Sequence, residues 1–469
     1  MFERKIAATS IDFLFSKGVA SLGLKPSVFL SELDVDGKHY LFHSKTRSFV
    51  RLRSPLSTIL ASSGPAVRRL VELGYLVPLS ASNRDEYEQL FRDIAQPNHH
   101  LNLLFTPNTT CNLACSYCFE NRVRRTVMSD STYRATVAWL EKVIISRNIK
   151  EVSINLFGGE PMLEYSLLTN FLHDLERLRR THDFRIRSVQ LTTNGLEHSE
   201  FKLGELRNLG VTEVQITVDG DKAANDSRRL RRAPARANQT SSVYDDVIQS
   251  LPIYSRYFPV ILKINFDAST IATVEAAVVH AINTPELTKR NFMIKPEPIA
   301  IWRNSRAPEK RNLYDRGSVE LAEAFGKIIN LAIREDVSLD LSAVFPTPCM
   351  VSSENSYLLE PSGKLRSCIS AFGLDAFSAG SVHSPSTLPT DRSNLRTHLN
   401  TPGLEKCIER SCSYMAVCDG GCKYETYLSQ DTLNFMHCGY DYFKSVVPHY
   451  IRGLLHKASR VEELFVSSA

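Results

Sequence analysis

The chain lacks any hydrophobic run long enough to span a bilayer. Its first residues, MFERKIAATSIDFLFSKGVASLGL, carry an early basic pair but no unbroken apolar core, because Asp12, Ser16 and Lys17 interrupt it, so no secretion signal is expected. Repeats of fixed period and low-complexity tracts are missing too, which argues against solenoids and linkers. There is no strong excess of one charge: 56 Lys and Arg stand against 51 Asp and Glu, a net +5, so a basic partner surface would have to be local. With 43% hydrophobic and 23% charged residues, the 469-residue chain is long enough for two or three domains with substantial cores. These absences predict a cytoplasmic, non-membrane protein. In a reducing compartment its ten cysteines stay thiols, and their spacing reads as ligand spacing.

Along the chain the hydrophobic pattern changes character three times. Short β-like runs, VFLSEL, HYLFHS and SFVRLR, are separated by Asp36-Gly37 and a polar turn near Lys45. Helical spacing follows in PLSTILASS, PAVRRLVELGYL and DEYEQLFRDIA. Residues 1–95 are therefore expected to form a winged-helix-like α+β domain. From residue 101 strand and helix alternate: LNLLF, then a helix near 130–147; VSINLF, then 162–180; VQLTTN, then 199–209; VQITV, then 243–256; VILKINF, then 271–284; FMIKPEPIA, then 317–334. Six such units imply a parallel sheet curled into a partial or full barrel over 96–335, with active residues at the C-terminal ends of its strands. Residues 336–469 lose this periodicity until about 440, and seven of the ten cysteines fall there. A region so poor in apolar pattern needs another staple, and metal is expected to supply it.

The strongest motif is Cys111-Asn-Leu-Ala-Cys115-Ser-Tyr-Cys118, directly after the first barrel strand. Three thiolates on one loop can hold three irons of a cubane and leave the fourth without a protein ligand. Zinc is the competing occupant, but it takes four ligands in closed geometry, which a lone triplet does not supply.

This spacing, with Tyr117 before the last cysteine, resembles the cluster loop of the radical S-adenosylmethionine (SAM) superfamily. The resemblance implies an α/β fold, a partial (β/α)6 radical SAM barrel, with catalysis at Cys111, Cys115 and Cys118 and an open iron that chelates SAM. Gly158-Gly159-Glu160-Pro161 is similar to the family's GGEP motif, in which backbone and carboxylate meet the methionyl ammonium. Glycine allows close backbone approach and a carboxylate suits an amine. Thr192-Thr193-Asn194-Gly195 ends the third strand, where the family places SAM contacts, and Asp219-Gly220 ends the fourth. On the family's D-G…H-[DN]-x-x-R pattern Arg229 meets the SAM carboxylate, although Asn225 stands where the pattern has His. Asn265, ending the fifth strand, is a candidate for the ribose. The other arginines of RRLRR at 228–232 also read as a solvated helix end or a nucleic-acid patch.

The remaining cysteines run Cys349, then Gly363, Cys368, Cys407-x4-Cys412-x5-Cys418-x3-Cys422-x15-Cys438. This resembles the SPASM extension of radical SAM peptide-modifying enzymes, a C-terminal cysteine-rich domain with two auxiliary [4Fe–4S] clusters, three clusters in all. By that resemblance Cys349, Cys368 and Cys422 hold the first, and Cys407, Cys412, Cys418 and Cys438 the second. Whether the fourth iron of the first is open to substrate stays undecided, and the gap between Cys407 and Cys412 is wider than the family's usual two residues. Two zinc sites are the competing reading.

The resemblance implies a maturase of ribosomally made peptides. It would bind the precursor's leader through residues 27–95, remove a hydrogen, and install a thioether, carbon–carbon or carbon–oxygen crosslink or a related modification, with flavodoxin or ferredoxin as electron donor. Phe49 and Leu52 are candidates for the leader surface and equally for the core. A sulfatase-maturing enzyme is the nearest rival, disfavoured because Ile369, not Asp, follows Cys368. A non-catalytic metal protein binding nucleic acid through the arginines of 228–236 is a rival of another class.

Overall fold

The computed structural model describes residues 23–52, 56–61, 65–95, 99–232, 241–287, 291–299, 313–345, 349–384, 402–433 and 437–458. Part of the expected N-terminal domain, residues 1–22, and Arg236 lie outside them.

Near the N-terminus, strands β2 (Leu30–Val35), β3 (Lys38–His43) and β4 (Ser48–Leu52) form an antiparallel sheet. Asp36 and Gly37 both take positive φ, 54° and 73°, the geometry of a two-residue hairpin loop. Helices α1 (Leu56–Ala61), α2 (Pro65–Glu72) and α3 (Asn83–Ala95) follow in the expected places. One difference lies between the last two. Leu76–Pro78 is not the end of a helix but strand β5, which pairs with β1 (Leu24–Pro26) after Gly74 turns the chain at φ 74°. Leu52 belongs to the core that includes Leu41, Val50, Leu60 and Leu70, and Phe49 is half-buried against Tyr40.

The six strand–helix units are present. Strands β6 (His100–Phe105), β7 (Glu151–Leu156), β8 (Arg185–Thr193), β9 (Glu213–Val218), β10 (Val260–Phe266) and β11 (Phe292–Pro298) lie side by side and parallel in chain order. Their helices are α4 (Asp130–Ser146), α5 (Tyr165–His182), α6 (Glu200–Asn208), α8 (Val243–Tyr257), α9 (Val274–Ile282) and α10 (Val319–Arg334). Ser129, Ser242 and Ser318 start α4, α8 and α10 by accepting a backbone N–H three residues on. A short α7 (Lys222–Arg228), capped by Asp221, was not legible in the periodicity. Helix α5 begins at Tyr165 rather than 162, because Pro161–Glu164 is a 3-10 turn whose Met162 N–H is taken by the Glu160 carboxylate.

The sheet stays open. Its ten strands run β12-β11-β10-β9-β8-β7-β6-β13-β14-β15, where β12 (Ser338–Leu339) flanks β11 and β13 (Ser356–Leu359) pairs parallel to β6. Strands β14 (Lys364–Arg366) and β15 (Ser378–Ser381) extend that edge antiparallel. Beyond them come the short helices α11 (Pro402–Glu409), α12 (Met415–Cys418) and α13 (Lys423–Gln430), then the long α14 (Tyr440–Ala458). Helix α14 lies against α10 at Gly326, where a Cβ would stand 2.5 Å from the His449 ring. Among the described residues no helix is long and apolar enough to cross a membrane.

Candidate functional site

The loop after β6 carries Cys111, Cys115 and Cys118, all free thiols. A second segment holds it in place. Ala114 N donates to Leu230 O (2.7 Å), Ser116 N to Arg228 O (3.1 Å) and Arg232 N to Asn112 O (2.9 Å), so residues 228–232 run along the loop as a backing strand. The arginines there are engaged one by one. Arg228 donates to Asp267 at 2.8 Å and Ser269 at 3.0 Å, Arg231 pairs with Asp246, and Arg232 Nε reaches Leu113 O at 3.2 Å. Arg229 is buried beside Asp219 at 4.0 Å. This corrects the reading of RRLRR as a solvated or nucleic-acid-facing patch: a basic run read in one dimension becomes, in three, a set of scaffold bonds.

The glycine pair is explained by sterics. A Cβ on Gly158, at φ 139°, would sit 2.5 Å from Asn108 O, and one on Gly159 would sit 2.1 Å from Thr110 O. The rim of β7 is pressed onto the root of the cysteine loop, and Glu160 N donates to Thr110 O at 2.8 Å. Glu160 itself is not among the residues that line the adjoining cavity. Its fully buried carboxylate accepts from Thr193 Oγ1 (2.9 Å), Asn194 N (2.7 Å) and Met162 N (3.0 Å). Burial raises its pKa to about 7 against the pull of those donors.

Of the other expected cofactor contacts, Tyr117 and Asn265 meet at one point. Tyr117 Oη donates to Asp219 Oδ1 (2.7 Å), and Asn265 Nδ2 donates to both Tyr117 Oη (2.9 Å) and Asp219 (3.1 Å). Asn225, which replaces the pattern's His, accepts from Asp219 N at 3.1 Å and so fixes that turn. Asn194 Nδ2 donates to Asn112 Oδ1 at 2.6 Å and reaches Cys111 Sγ at 3.8 Å. Tyr117, Thr193, Asn194, Arg229 and Asn265, together with the three thiols and both glycines, line a single cavity of about 150 Å³.

Two more lining residues were missed by sequence reasoning. Glu120 is 7% exposed and one carboxylate oxygen has no hydrogen-bond partner among the described residues; burial, then Glu160, lifts its pKa to about 8. Lys263 is the single charge within the apolar run of β10, the signal that would have found it. Burial, and then Glu160, pushes the Cys111 thiol up to about 12, and burial raises Cys115 and Cys118 as well. Such thiols keep their protons until a metal takes the proton's place. Three convergent soft donors beside an unpartnered carboxylate suit an iron–sulfur cluster and the amine of a bound cofactor.

A second cavity, about 310 Å³, shares Tyr117, Phe119, Phe157, Lys263 and Asn265 with the first. Its polar walls come from the barrel interior, among them Asn155, Gln190, Gln215, Lys295, Glu297 and Arg316, and it ends at Ile369 and Ser370, next to Cys368.

The other cysteines fall into two groups. Cys349, Cys368 and Cys422 share one small core with Val351 and Phe377, and their thiols, each raised by burial, lie within electrostatic reach of one another. In the second group burial raises Cys407, Cys412 and Cys418, Cys418 lies within electrostatic reach of Cys407 and Cys412, and Cys438 within reach of those same two. The wide Cys407-x4-Cys412 gap closes through a helix end: Cys412 N donates to Cys407 O at 3.0 Å and Ser411 N to Ile408 O at 3.0 Å, with Ser411 left-handed at φ 51°. That is a Schellman turn, which brings the sixth residue back over the first. Among the described residues no three His, Cys, Asp or Glu side chains close around a single ion, and a cubane spreads its ligands wider than one ion does.

A loop of three half-buried thiols at the C-terminal rim of an open β/α barrel, lining a cavity, suits a barrel protein built around a metal cluster. Residues 105–264 match the model of the Radical SAM superfamily, so the chain carries a radical SAM domain and is an enzyme, and SAM and a [4Fe–4S] cluster are the cofactors that this domain supports. Molybdenum cofactor biosynthesis protein 1 of Bos taurus is 26% identical over 122 residues, 26% of this chain and 18% of that protein. GTP 3′,8-cyclase of Parasynechococcus marenigrum (strain WH8102) is 28% identical over 133 residues, 28% of this chain and 37% of its own length. The chain thus matches well under two thirds of these curated relatives. Among solved structures, native anSMEcpe with bound AdoMet and Kp18Cys peptide superposes with a TM-score of 0.58 at 17% identity, covering 77% of this chain and 100% of that one. Streptococcus suis SuiB bound to S-adenosylmethionine gives 0.50 at 14% identity, over 90% and 98%. At these identities the likeness is one of fold.

Proposed function

We propose that the chain is a radical SAM/SPASM maturase that removes hydrogen from a ribosomally made precursor peptide and installs a crosslink or related modification. One observation carries the reading: the cavity at the cysteine loop adjoins, across a shared wall of Tyr117, Lys263 and Asn265, a larger polar cavity that ends beside Cys368. A substrate residue there lies between a radical source and an electron acceptor. Support also comes from anSMEcpe, a protein of similar fold solved with a peptide bound.

On this reading Cys111, Cys115 and Cys118 hold the SAM-binding cluster. Bound there and reduced, SAM supplies a 5′-deoxyadenosyl radical that takes a hydrogen from the substrate. Gly158 and Gly159 offer backbone at close range, Thr193, Asn194 and Asn265 offer polar contacts, and Arg229 meets the carboxylate. Glu160 acts from behind, locking Thr193 and Asn194 in position. Phe119, which lines both cavities, stacks on Phe372 of the C-terminal region at 5.8 Å and on Phe157 at 6.4 Å, and this aromatic plug keeps water from the cavity wall.

Cys349, Cys368 and Cys422 hold one auxiliary [4Fe–4S] cluster and Cys407, Cys412, Cys418 and Cys438 the other. Residues 1–95 recognise the leader, 96–335 form the barrel and 336–469 the SPASM domain. Strand β4 ends the N-terminal sheet and offers an edge for the leader to extend. A cytoplasmic setting with flavodoxin or ferredoxin as electron donor belongs to the same proposal. Ile369, lining the larger cavity, has no proton-accepting group, which disfavours sulfatase maturation.

The test is anaerobic reconstitution with the short peptide encoded beside this chain, SAM and dithionite. The expected products are 5′-deoxyadenosine and a peptide lighter by two hydrogens, or, for epimerisation, one that takes up deuterium. Formation of 5′-deoxyadenosine with no change in any such peptide would overturn the peptide reading.

A further inference from the structure

Between the two C-terminal thiol groups one charge is stranded. Lys423 opens α13 directly after Cys422, is 3% exposed, and its Nζ has no hydrogen-bond partner among the described residues. The turn that leads into it joins the two groups, since Gly421 N donates to Cys418 O at 2.8 Å just before Cys422, and Asp419, Cys349, Cys418 and Cys422 all lie within electrostatic reach of the ammonium. Cys349 and Cys422 belong to one thiol group and Cys418 to the other. No other cation has this placement among those that act on these thiols: Arg316 acts on Cys368 and Cys422 of the first group, and Arg410 on Cys407 of the second.

A buried ammonium with three donors and no acceptor is costly to keep, and folds retain one where something else accepts from it. Here the acceptor is supplied by the cluster chemistry. A cubane held by three or four thiolates is an anion, since the thiolate charges outweigh that of the core, and its sulfurs accept hydrogen bonds. Each added electron deepens that negative charge. A fixed cation beside the cluster favours the reduced form over the oxidised one and raises the reduction potential.

We propose that Lys423 is the shared counter-ion and hydrogen-bond donor of both auxiliary clusters, and that it raises the reduction potentials of the two together. It is a positioning residue, acting on the clusters rather than on substrate. The inference rests on the two-cluster reading above.

The experiment uses the full chain carrying Cys111→Ala, Cys115→Ala and Cys118→Ala, so that only auxiliary clusters contribute, reconstituted with iron and sulfide and titrated by EPR-monitored potentiometry. Lys423→Met is expected to move both potentials to more negative values, Lys423→Gln to move them less because it keeps a donor, and Lys423→Arg to restore them. Unchanged potentials in Lys423→Met, or a shift confined to one cluster, would overturn the inference. Should Lys423→Met not hold its clusters, Lys423→Gln against Lys423→Arg decides the matter by the same readout. A parent protein that binds no iron would instead sink the two-cluster reading itself.

Discussion

The barrel and the cysteine-rich region after it solve the problem of closing a core by different means. Strands β7–β10 and their helices bury an almost continuous set of large apolar side chains, from Val152 and Ile154 through Leu191 and Ile216 to Leu262 and Phe266. The C-terminal region gathers only small groups, such as Val351, Ala371, Phe377 and Tyr424, around cysteines. The barrel is held by area removed from water, whereas the region around Cys349 and Cys422 leaves much of its cohesion to whatever the thiols bind. On the proposed two-cluster reading, metal is structural in the second region and only chemical in the first.

Stripping the iron is the harshest way to break that comparison. Amide exchange in 349–384 and 402–433 should speed up by at least about 100-fold, while β7–β10 keep their protection. Equal loss in both regions, followed by mass spectrometry, would erase the distinction. The next test attacks the barrel where it carries the cysteine loop. Arg228→Met removes a buried partner of Asp267, and breaking such a pair costs about 3–5 kcal/mol in urea unfolding. A loss below about 1 kcal/mol would mean that the loop's backing segment does not depend on this anchor.

The smallest effect sharpens the comparison where the N-terminal domain leans on the cysteine-rich region. Next to Ser44, whose hydroxyl donates to Ser413 O, His43 is buried, and burial, then Lys45, lowers its pKa from 6.5 to about 4. The folded state therefore resists a proton that the unfolded chain accepts. Stability from this group is complete above pH 6.5 and is lost as the pH falls towards 4, by at most about 3 kcal/mol. Melting temperature against pH should show that slope in the parent and lose it in His43→Gln; an identical slope in both would assign it elsewhere.

Much of this was legible in the sequence. The six strand–helix units stood out because each strand is a dense apolar run and each helix is long enough to repeat its period. Strands β13, β14 and β15, of 4, 3 and 4 residues, are too short to show any period and are made by pairing, β13 onto β6, β14 onto β13 and β15 onto β14. Cysteine spacing marked the candidate ligands, but not how Cys407 and Cys412 meet across four residues, since that depends on the left-handed Ser411. What the Glu160 carboxylate bonds to was hidden for a similar reason: a motif names a residue, while its partners Thr193 and Asn194 come from a neighbouring strand. Arg228, Arg231 and Arg232 misled because charge in a row looks like a surface until the facing carboxylates and carbonyls are placed.

The strip at 228–232 that backs the cysteine loop has a consequence for timing during synthesis. Cys111, Cys115 and Cys118 leave the ribosome more than a hundred residues before Leu230 and Arg232, their loop's backbone partners, and Asp267, which pins that strip, comes later still. Until β10 has emerged, the three thiols sit on an unbraced segment of nascent chain. If these thiols hold the cluster as proposed, iron loading is expected to be a late event, coupled to completion of the fifth barrel strand rather than to the first appearance of the three cysteines.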